Sequence, residues 1–183
     1  MYIIGISASA YTHLRIYENN DMIELSIIEV ISMCKKSCFF LGHADTPSSL
    51  YPDLLAAIER HITEYGVTEF FAGNHGAFDR LALRALKEAK SAHPQIRLIH
   101  VQPYHPGTNP LTPDGFDESF YPFDAPVHPR FAISKANRKM IETCDFLIAH
   151  VWHSGRSRSF FEYAKKRAEK GLIHIEMLRN LNL

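Results

Sequence analysis

The sequence predicts an α/β fold in which a mainly parallel sheet of about five strands lies between two layers of helices. The first observation behind this prediction is that, from Ser37 onward, short apolar segments alternate with amphipathic segments of helical periodicity. The second is that polar, glycine-bearing turns follow several of the apolar segments. Such turns are typical of βαβ units, whose strands all run in the same direction.

The individual elements follow from this alternation. Strands are predicted at residues 38–41, 68–72, 96–101, 145–151 and 172–175. The first helix begins near Ser48 and Pro52, because a proline in the first turn lacks only an N–H group that would be unpaired anyway, and it ends at Gly66. Further helices are predicted at residues 78–90, 130–144 and 160–170, with a turn at 153–159 before the last of them.

Residues 103–129 interrupt the pattern. Seven of the ten prolines lie there, together with five aromatic residues, Tyr104, Phe116, Phe120, Tyr121 and Phe123. Because proline prevents the propagation of helices and strands, this segment is predicted to be a long loop. Long loops in compact domains are usually functional or disordered. The aromatic residues favour a lid that folds over a ligand, and a flexible surface loop is the alternative.

The first 32 residues stand apart from the predicted domain, residues 33–183. The pair Glu29-Val30 can be encoded by GAGGTG, which resembles a bacterial ribosome-binding site a few codons upstream of Met33. One hypothesis is therefore that translation begins at Met33 and that residues 1–32 are not part of the protein. The alternative is that they form an extra edge strand or helix.

Composition narrows the class of protein. The 183 residues suit one domain, and the formal net charge is zero with neutral histidines. Because nucleic-acid binders usually carry a basic excess, this balance argues against DNA or RNA as the main partner. The three cysteines are too few for a disulfide framework, and no segment predicts a membrane span or a signal peptide. We therefore expect a cytoplasmic protein that does not bind membranes.

Candidate ligand-binding residues lie where ligands bind in open parallel sheets, beyond the carboxyl ends of the strands. The first such turn reads Gly42-His43-Ala44-Asp45-Thr46. Glycine allows a sharp turn beside a ligand, and His43 and Asp45 could bind a ribose or a reacting group.

The turn after the second predicted strand reads Gly73-Asn74-His75-Gly76-Ala77-Phe78-Asp79. Gly73 and Gly76 precede a helix N-terminus, where free N–H groups and the helix dipole favour a phosphate. Asp79 could cap that helix or bind a ribose hydroxyl or a water molecule.

The turn after the fourth predicted strand is polar and basic and also leads into a helix. It contains Gly155, Arg156, Ser157, Arg158 and Ser159. Hydroxyls and guanidinium groups in this combination suit a phosphate or a carboxylate. Any one such turn is common, and the three together at one predicted sheet edge are more informative.

The sequence resembles the SLOG superfamily of Rossmann-like proteins, which includes the DprA, YpsA-like and LOG (lysine decarboxylase-like) proteins, and above all its YpsA-like branch. The resemblance spans about residues 36–175. The residues that carry it are Gly42-His43, Gly73, Gly76, Phe78 and Asp79, Asn137-Arg138, Gly155-Arg156-Ser157 and Tyr163-Ala164. It implies a Rossmann-like fold and adds Arg138 to the ligand-binding candidates.

The chain also departs from the superfamily's patterns. Ala44 stands where the YpsA-like branch has arginine, and Arg156-Ser157 stand where it has Gly-Thr. If a phosphate is bound, its contacts must therefore differ. Gly155, Ser159 and Glu162 fit the spacing of the LOG motif Pro-Gly-Gly-x-Gly-Thr-x-x-Glu, but arginines replace two of its glycines.

The resemblance implies binding or sensing of a nucleotide or nucleotide-derived ligand, with no cofactor. The ligand-binding candidates are Gly42, His43, Gly73, Gly76, Asp79, Arg138, Gly155, Arg156, Ser157 and Ser159. The alternative is an N-glycosidic or phosphoribosyl-bond hydrolase acting on nucleoside monophosphates. That chemistry needs a carboxylate near the anomeric carbon, for which Asp79 and Glu162, and also Asp45, are candidates.

Weaker expectations concern metal binding, DNA binding and dimer formation. Several histidines lie near predicted strand ends, but histidines in turns are usually ordinary polar residues, so no metal site is predicted. A DNA-binding role by analogy with DprA is disfavoured by the zero net charge. Rossmann-like domains often pair through exposed helices, so a homodimer is one expected form.

Overall fold

The computed structural model describes residues 13–18, 21–26, 35–107 and 112–178, with only the backbone described for residues 13–18 and 21–26. The chain divides into two compact units, residues 1–35 and 36–183. In the first unit, strands β1 (His13–Glu18) and β2 (Asp21–Ser26) form an antiparallel two-stranded sheet. The hypothesis of a start at Met33 concerns a residue outside the described part of the chain and stays a prediction.

The second unit is a Rossmann-like α/β fold, as predicted. Its elements are β3 (Lys36–Gly42), a 3-10 turn (Ser48–Leu50), α1 (Tyr51–Thr63), β4 (Val67–Ala72), α2 (Ala77–Ala92), β5 (Arg97–Val101), β6 (Glu118–Phe120), α3 (Pro129–Thr143), β7 (Phe146–His150), α4 (Arg156–Ala168) and β8 (His174–Met177). The strands form one parallel sheet in the order β6-β5-β4-β3-β7-β8. The strand order reverses between β3 and β7, and such a switch point opens a crevice at the carboxyl ends of the strands.

Alternating side chains of β3 fill two separate cores, one on each face of the sheet. Cys38 and Phe40 pack against residues of α1 and α2. Phe39 and Leu41 pack against residues of α3 and α4. Since successive residues of a strand point to opposite faces, one apolar run supplies both cores, which explains the αβα layering.

Two predictions about the elements are corrected by the structure. The sheet of the second unit has six strands where about five were predicted, because β6 lies inside the proline-rich segment 103–129. Helix α4 begins at Arg156 and not at 160, so Arg156, Ser157 and Ser159 lie in its first turn. Gly155, with φ of +145°, makes the abrupt entry into this helix, a conformation that other residues rarely adopt.

The described part of segment 103–129 is anchored to the domain. Asp117 accepts hydrogen bonds from the backbone N–H of Leu98 at 2.7 Å and from Lys90 Nζ at 2.5 Å. Burial raises the pKa of Asp117, but the Leu98 N–H group and Lys90 outweigh it, so the pKa is lowered overall. The strand β6 that follows has no proline and pairs with β5. The residues around Asp117 are therefore part of the sheet edge.

Among the described residues, no helix combines the length and the apolar character needed to span a membrane.

The turn after β3 is held closely against α2. A Cβ atom at Gly42 would lie 2.2 Å from Cγ of Phe78, which is buried. The backbone N–H of Ala77, at the start of α2, donates to the carbonyl of Ala44 at 3.0 Å. The absence of a side chain at Gly42 therefore allows α2 to approach the end of β3.

We predict that Gly42→Ala destabilises the protein by about 1–3 kcal/mol, because the added methyl group overpacks a buried contact. Gly66→Ala is the matched control: its φ is +68°, and a Cβ atom there would meet nothing within 4 Å. Its cost is then about 1 kcal/mol from the backbone conformation alone. Urea denaturation measures both. Adding Phe78→Leu to Gly42→Ala should cost less than the sum of the single changes, and strict additivity would contradict the contact.

Candidate ligand-binding site

A cleft of about 230 Å³ lies at the carboxyl edge of the sheet in the second unit. The turn after β3 supplies Gly42 and Ala44, and the turn between β4 and α2 supplies Gly73, His75, Gly76 and Asp79. The opposite wall comes from Ile133, Ser134, Ala136 and Asn137 of α3 and from Arg156, Ser157 and Phe160 of α4. Six of the predicted ligand-binding residues thus line one space: Gly42, Gly73, Gly76, Asp79, Arg156 and Ser157.

The glycines of the β4–α2 turn are required by contacts within the protein. A Cβ atom at Gly73 would lie 2.9 Å from Oδ2 of Asp79, and one at Gly76 would lie 3.1 Å from Cα of Ala44. Together with Gly42, these residues bring the turns after β3 and β4 close to each other. Their first role is to build the wall of the cleft.

Asp79 caps the N-terminus of α2 from within the cleft wall. Its Oδ2 accepts hydrogen bonds from the backbone N–H groups of His75 at 2.9 Å and Gly76 at 3.1 Å. These two N–H groups are therefore occupied, and the predicted phosphate site at this helix is already filled by a carboxylate. Oδ1 makes no hydrogen bond to a described residue. Burial raises the pKa of Asp79, and the two N–H groups oppose that shift.

The N-terminus of α4 differs from that of α2 because no side chain caps it. Its first turn contains no acidic residue, and the N-cap Gly155 offers no side chain. The hydroxyl of Ser157 donates to the carbonyl of Gly42 at 2.8 Å, which ties the start of α4 to the end of β3. Arg156 is exposed at the cleft and forms no ion pair with a described residue. The start of α4 therefore offers backbone N–H groups without a side-chain acceptor, next to the guanidinium of Arg156.

Helix α3 contributes two polar residues that the sequence analysis did not select. Ser134 and Asn137 are half-buried, line the cleft, and make no side-chain hydrogen bond to a described residue. They are three positions apart, which places them on one face of the helix. Ala132 and Ala136 beside them are buried. The sequence did contain a signal for them, because Ser134 and Asn137 alternate with the small apolar residues Ala132 and Ala136 along one predicted helix.

Six predicted residues do not line the cleft: His43, Asp45, Arg138, Gly155, Ser159 and Glu162. Arg138, whose side chain is 61% exposed, pairs with Glu142 at 3.0 Å and lies over the ring of Tyr163. Glu162 pairs with Arg158 and Lys165 on the exposed surface of α4. Ser159 is exposed and does not line the cleft. Asp79 is therefore the one carboxylate among the described lining residues.

His43 belongs to a separate cluster beside the cleft. Its ring stacks on that of His153, with centroids 3.7 Å apart and planes at 22°. His153 Nε2 lies 3.2 Å from Oδ1 of Asp45, and buried His150 Nδ1 lies 3.2 Å from the hydroxyl of Thr46. Among the described residues, no three histidine, cysteine or acidic side chains converge to hold a metal ion.

Comparison with known proteins indicates the fold. No protein-family model matches the sequence, and no curated protein matches it. Among solved structures, DNA processing protein A from Helicobacter pylori, described in a single-stranded DNA binding mode, has 14% sequence identity and a TM-score of 0.51. The match covers 99% of this chain and 82% of that one. At this identity the similarity supports a common fold only.

Two further solved structures are similar to 77–78% of this chain. The molybdenum cofactor binding protein from Rippkaea orientalis has 16% identity and a TM-score of 0.48, with 78% of this chain and 90% of that chain covered. The Moco carrier protein of Chlamydomonas has 14% identity and a TM-score of 0.44, with coverage of 77% and 88%. The Rossmann-like fold rests on the sheet topology and on the similarity to the Helicobacter structure, and the YpsA-like branch stays a prediction.

Proposed function

We propose that the cleft binds a small phosphorylated ligand of the nucleotide-derived class and that the protein is a binding or sensing module. The observation that carries the proposal is the uncapped N-terminus of α4 in a partly enclosed cleft that is also lined by Arg156, which has no ion-pair partner among the described residues. Backbone N–H groups and a helix dipole favour an anion, and a guanidinium strengthens the binding of a phosphate.

The other lining residues suit the rest of such a ligand. Oδ1 of Asp79 can accept a hydrogen bond from a sugar hydroxyl, and Ser134 and Asn137 can donate or accept. Phe160 and Ile133 provide apolar surface beside them. A mainly apolar pocket with a few polar groups is typical of small-molecule sites.

A phosphoribosyl hydrolase is the second candidate. The raised pKa of half-buried Asp79 favours it, because a carboxyl group that keeps its proton to higher pH can act as a general acid. The exposed ion pairs of Glu162 leave the second predicted carboxylate outside the cleft. Release of free base from nucleoside monophosphates, abolished by Asp79→Asn in a folded protein, would support the hydrolase over the binding module.

A polynucleotide is less suited to this site than a small molecule. The similar Helicobacter protein binds single-stranded DNA, but this chain has no net charge. The cleft of about 230 Å³ is also partly enclosed by α3 and α4. A homodimer stays an expectation from the fold class.

We predict that one of a panel of nucleoside monophosphates, ADP-ribose and NAD stabilises the protein by about 2.7 kcal/mol at 100 times its dissociation constant, measured as a shift in melting temperature. Arg156→Ala should weaken that ligand about 10- to 100-fold, the loss of one hydrogen bond to a charged group. Arg138→Ala is the matched control, because it removes the same charge outside the cleft. Equal losses in both variants, or no stabilisation by any ligand, would contradict the proposal.

We also predict that Asp79→Ala lowers the free energy of unfolding at pH 7 by about 0.5–2 kcal/mol, because two N–H groups of the α2 N-terminus lose their acceptor. Asp79→Asn keeps an acceptor and should lower it less. Urea denaturation measures both, and Asp114→Ala, an exposed loop position, should change stability by less than about 0.5 kcal/mol.

The pH dependence of these variants provides a separate check. Because the pKa of Asp79 is raised in the folded state, its protonation favours folding. The stability of the wild type relative to Asp79→Asn should therefore increase as the pH falls through that raised pKa, and the gain should be complete below about 3.9, the unfolded value. A relative loss of stability on acidification would mean that Asp79 is held mainly as a carboxylate.

A further inference from the structure

Two turns at the switch point of the sheet are joined by aromatic and polar contacts outside the cleft. His43, in the turn after β3, stacks on His153, in the turn after β7, with ring centroids 3.7 Å apart. Asp45 Oδ1 lies 3.2 Å from His153 Nε2, a second link between the same turns. Trp152 meets both histidine rings edge-on, at 4.6 Å from His153 and 6.3 Å from His43.

His43 is buried without hydrogen-bond partners. The residue is only 5% exposed, and neither ring nitrogen has a partner among the described residues. A neutral imidazole always carries one N–H donor, so one donor is unsatisfied in this position, and a protonated ring would leave two. Unsatisfied buried donors are rare in stable structures, which marks His43 as a group whose environment can change.

We infer that the stacked pair of His43 and His153 is a proton-operated latch between the turns after β3 and β7, closed while at most one of the two rings is an imidazolium and opened when both are. Two imidazolium rings at a centroid distance of 3.7 Å would repel each other, and buried His43 has no acceptor for its second N–H group. Opening lets protonated His43 reach water.

The surrounding charges favour placing the first proton on His153. The carbonyl of Ser154 and the carboxylate of Asp45 raise the pKa of His153. Burial, and then the proximity of His153, lowers the pKa of His43. Burial, and then the proximity of His43, also lowers the pKa of His150 at the end of β7, and Asp45 opposes this shift. Arg156 at the start of α4 adds a further positive charge to this edge of the sheet.

The sign of the pH effect follows from these shifts. A histidine with a lowered pKa in the closed state makes that state lose stability as the pH falls below about 6.5, its ordinary value. Opening would release the Trp152–Gly155 turn that leads into α4. This inference is independent of ligand binding in the cleft, since His43, Asp45 and His153 do not line it.

Trp152 is the one tryptophan in the sequence, so its fluorescence reports on the latch directly. We expect the emission of the full chain to change between pH 7.5 and 5, with a midpoint below about 6.5 and with an unchanged far-ultraviolet circular dichroism spectrum. His43→Gln should abolish this transition and leave only the titration of His153 beside Trp152, at higher pH, because the ring that takes the second proton is absent. His153→Gln should move the midpoint to higher pH. The variant removes the stacked ring that helps to bury His43 and the positive charge that lowers the pKa of His43.

His174→Gln is the matched control, because His174 is exposed at the start of β8 and should leave the transition unchanged. An unchanged transition in His43→Gln, the absence of any transition in the wild type, or a transition that coincides with loss of the circular dichroism signal would each overturn the inference. If His43→Gln does not fold, the histidine proton resonances of the wild type decide. Two coupled titration steps for His43 and His153 support the latch, and independent single steps overturn it.

Discussion

The carboxyl ends of the neighbouring strands β4, β3 and β7 lie around one small cleft because the end of β3 is in close contact with both α2 and α4. Gly42 has no side chain where the ring of Phe78 lies, and its carbonyl accepts the hydroxyl of Ser157 from α4. Gly76 approaches the backbone of Ala44 in the same way. The N-termini of α2 and α4 are thereby held against the end of β3, and the cleft forms between them.

The two helix N-termini at this edge have opposite electrostatic states. The N-terminus of α2 is neutralised by Asp79, whose carboxylate occupies the free N–H groups of the turn. The N-terminus of α4 carries no cap and adds Arg156. Because an anion is stabilised where donors are unpaired, the electrostatics of the cleft favour the α4 end for a phosphate and the Asp79 end for neutral hydroxyl groups.

Beside the cleft, the same switch point brings together His43, His150 and His153. These side chains lie on turns after two strands that are adjacent in the sheet but more than 100 positions apart in the chain. Their stacking joins the two turns without contributing to the cleft. The proposed ligand site and the proposed latch therefore use different atoms at one edge of the sheet.

The sequence by itself determined the layered α/β architecture and three polar turns at the carboxyl ends of predicted strands, whereas the strand order, and with it the switch point, is seen only in the structure. Apolar periodicity and helix signals are local, so the strands β3, β4, β5 and β7 were predicted close to their observed positions. The three-residue strand β6 was missed because the prolines on either side of it favour a loop, and its pairing with β5 is a contact between distant residues that local patterns do not show.

Only the tertiary structure decided which polar residues share the cleft. Arg138 and Asn137 are adjacent in the chain, yet the helix places Asn137 in the cleft and turns Arg138 toward Glu142 and Tyr163. Glu162 is drawn to Arg158 and Lys165 on the exposed side of α4. The glycines predicted to approach a ligand were needed first for contact between turns. Such contacts join residues far apart in sequence, and local patterns carry no information about their distances.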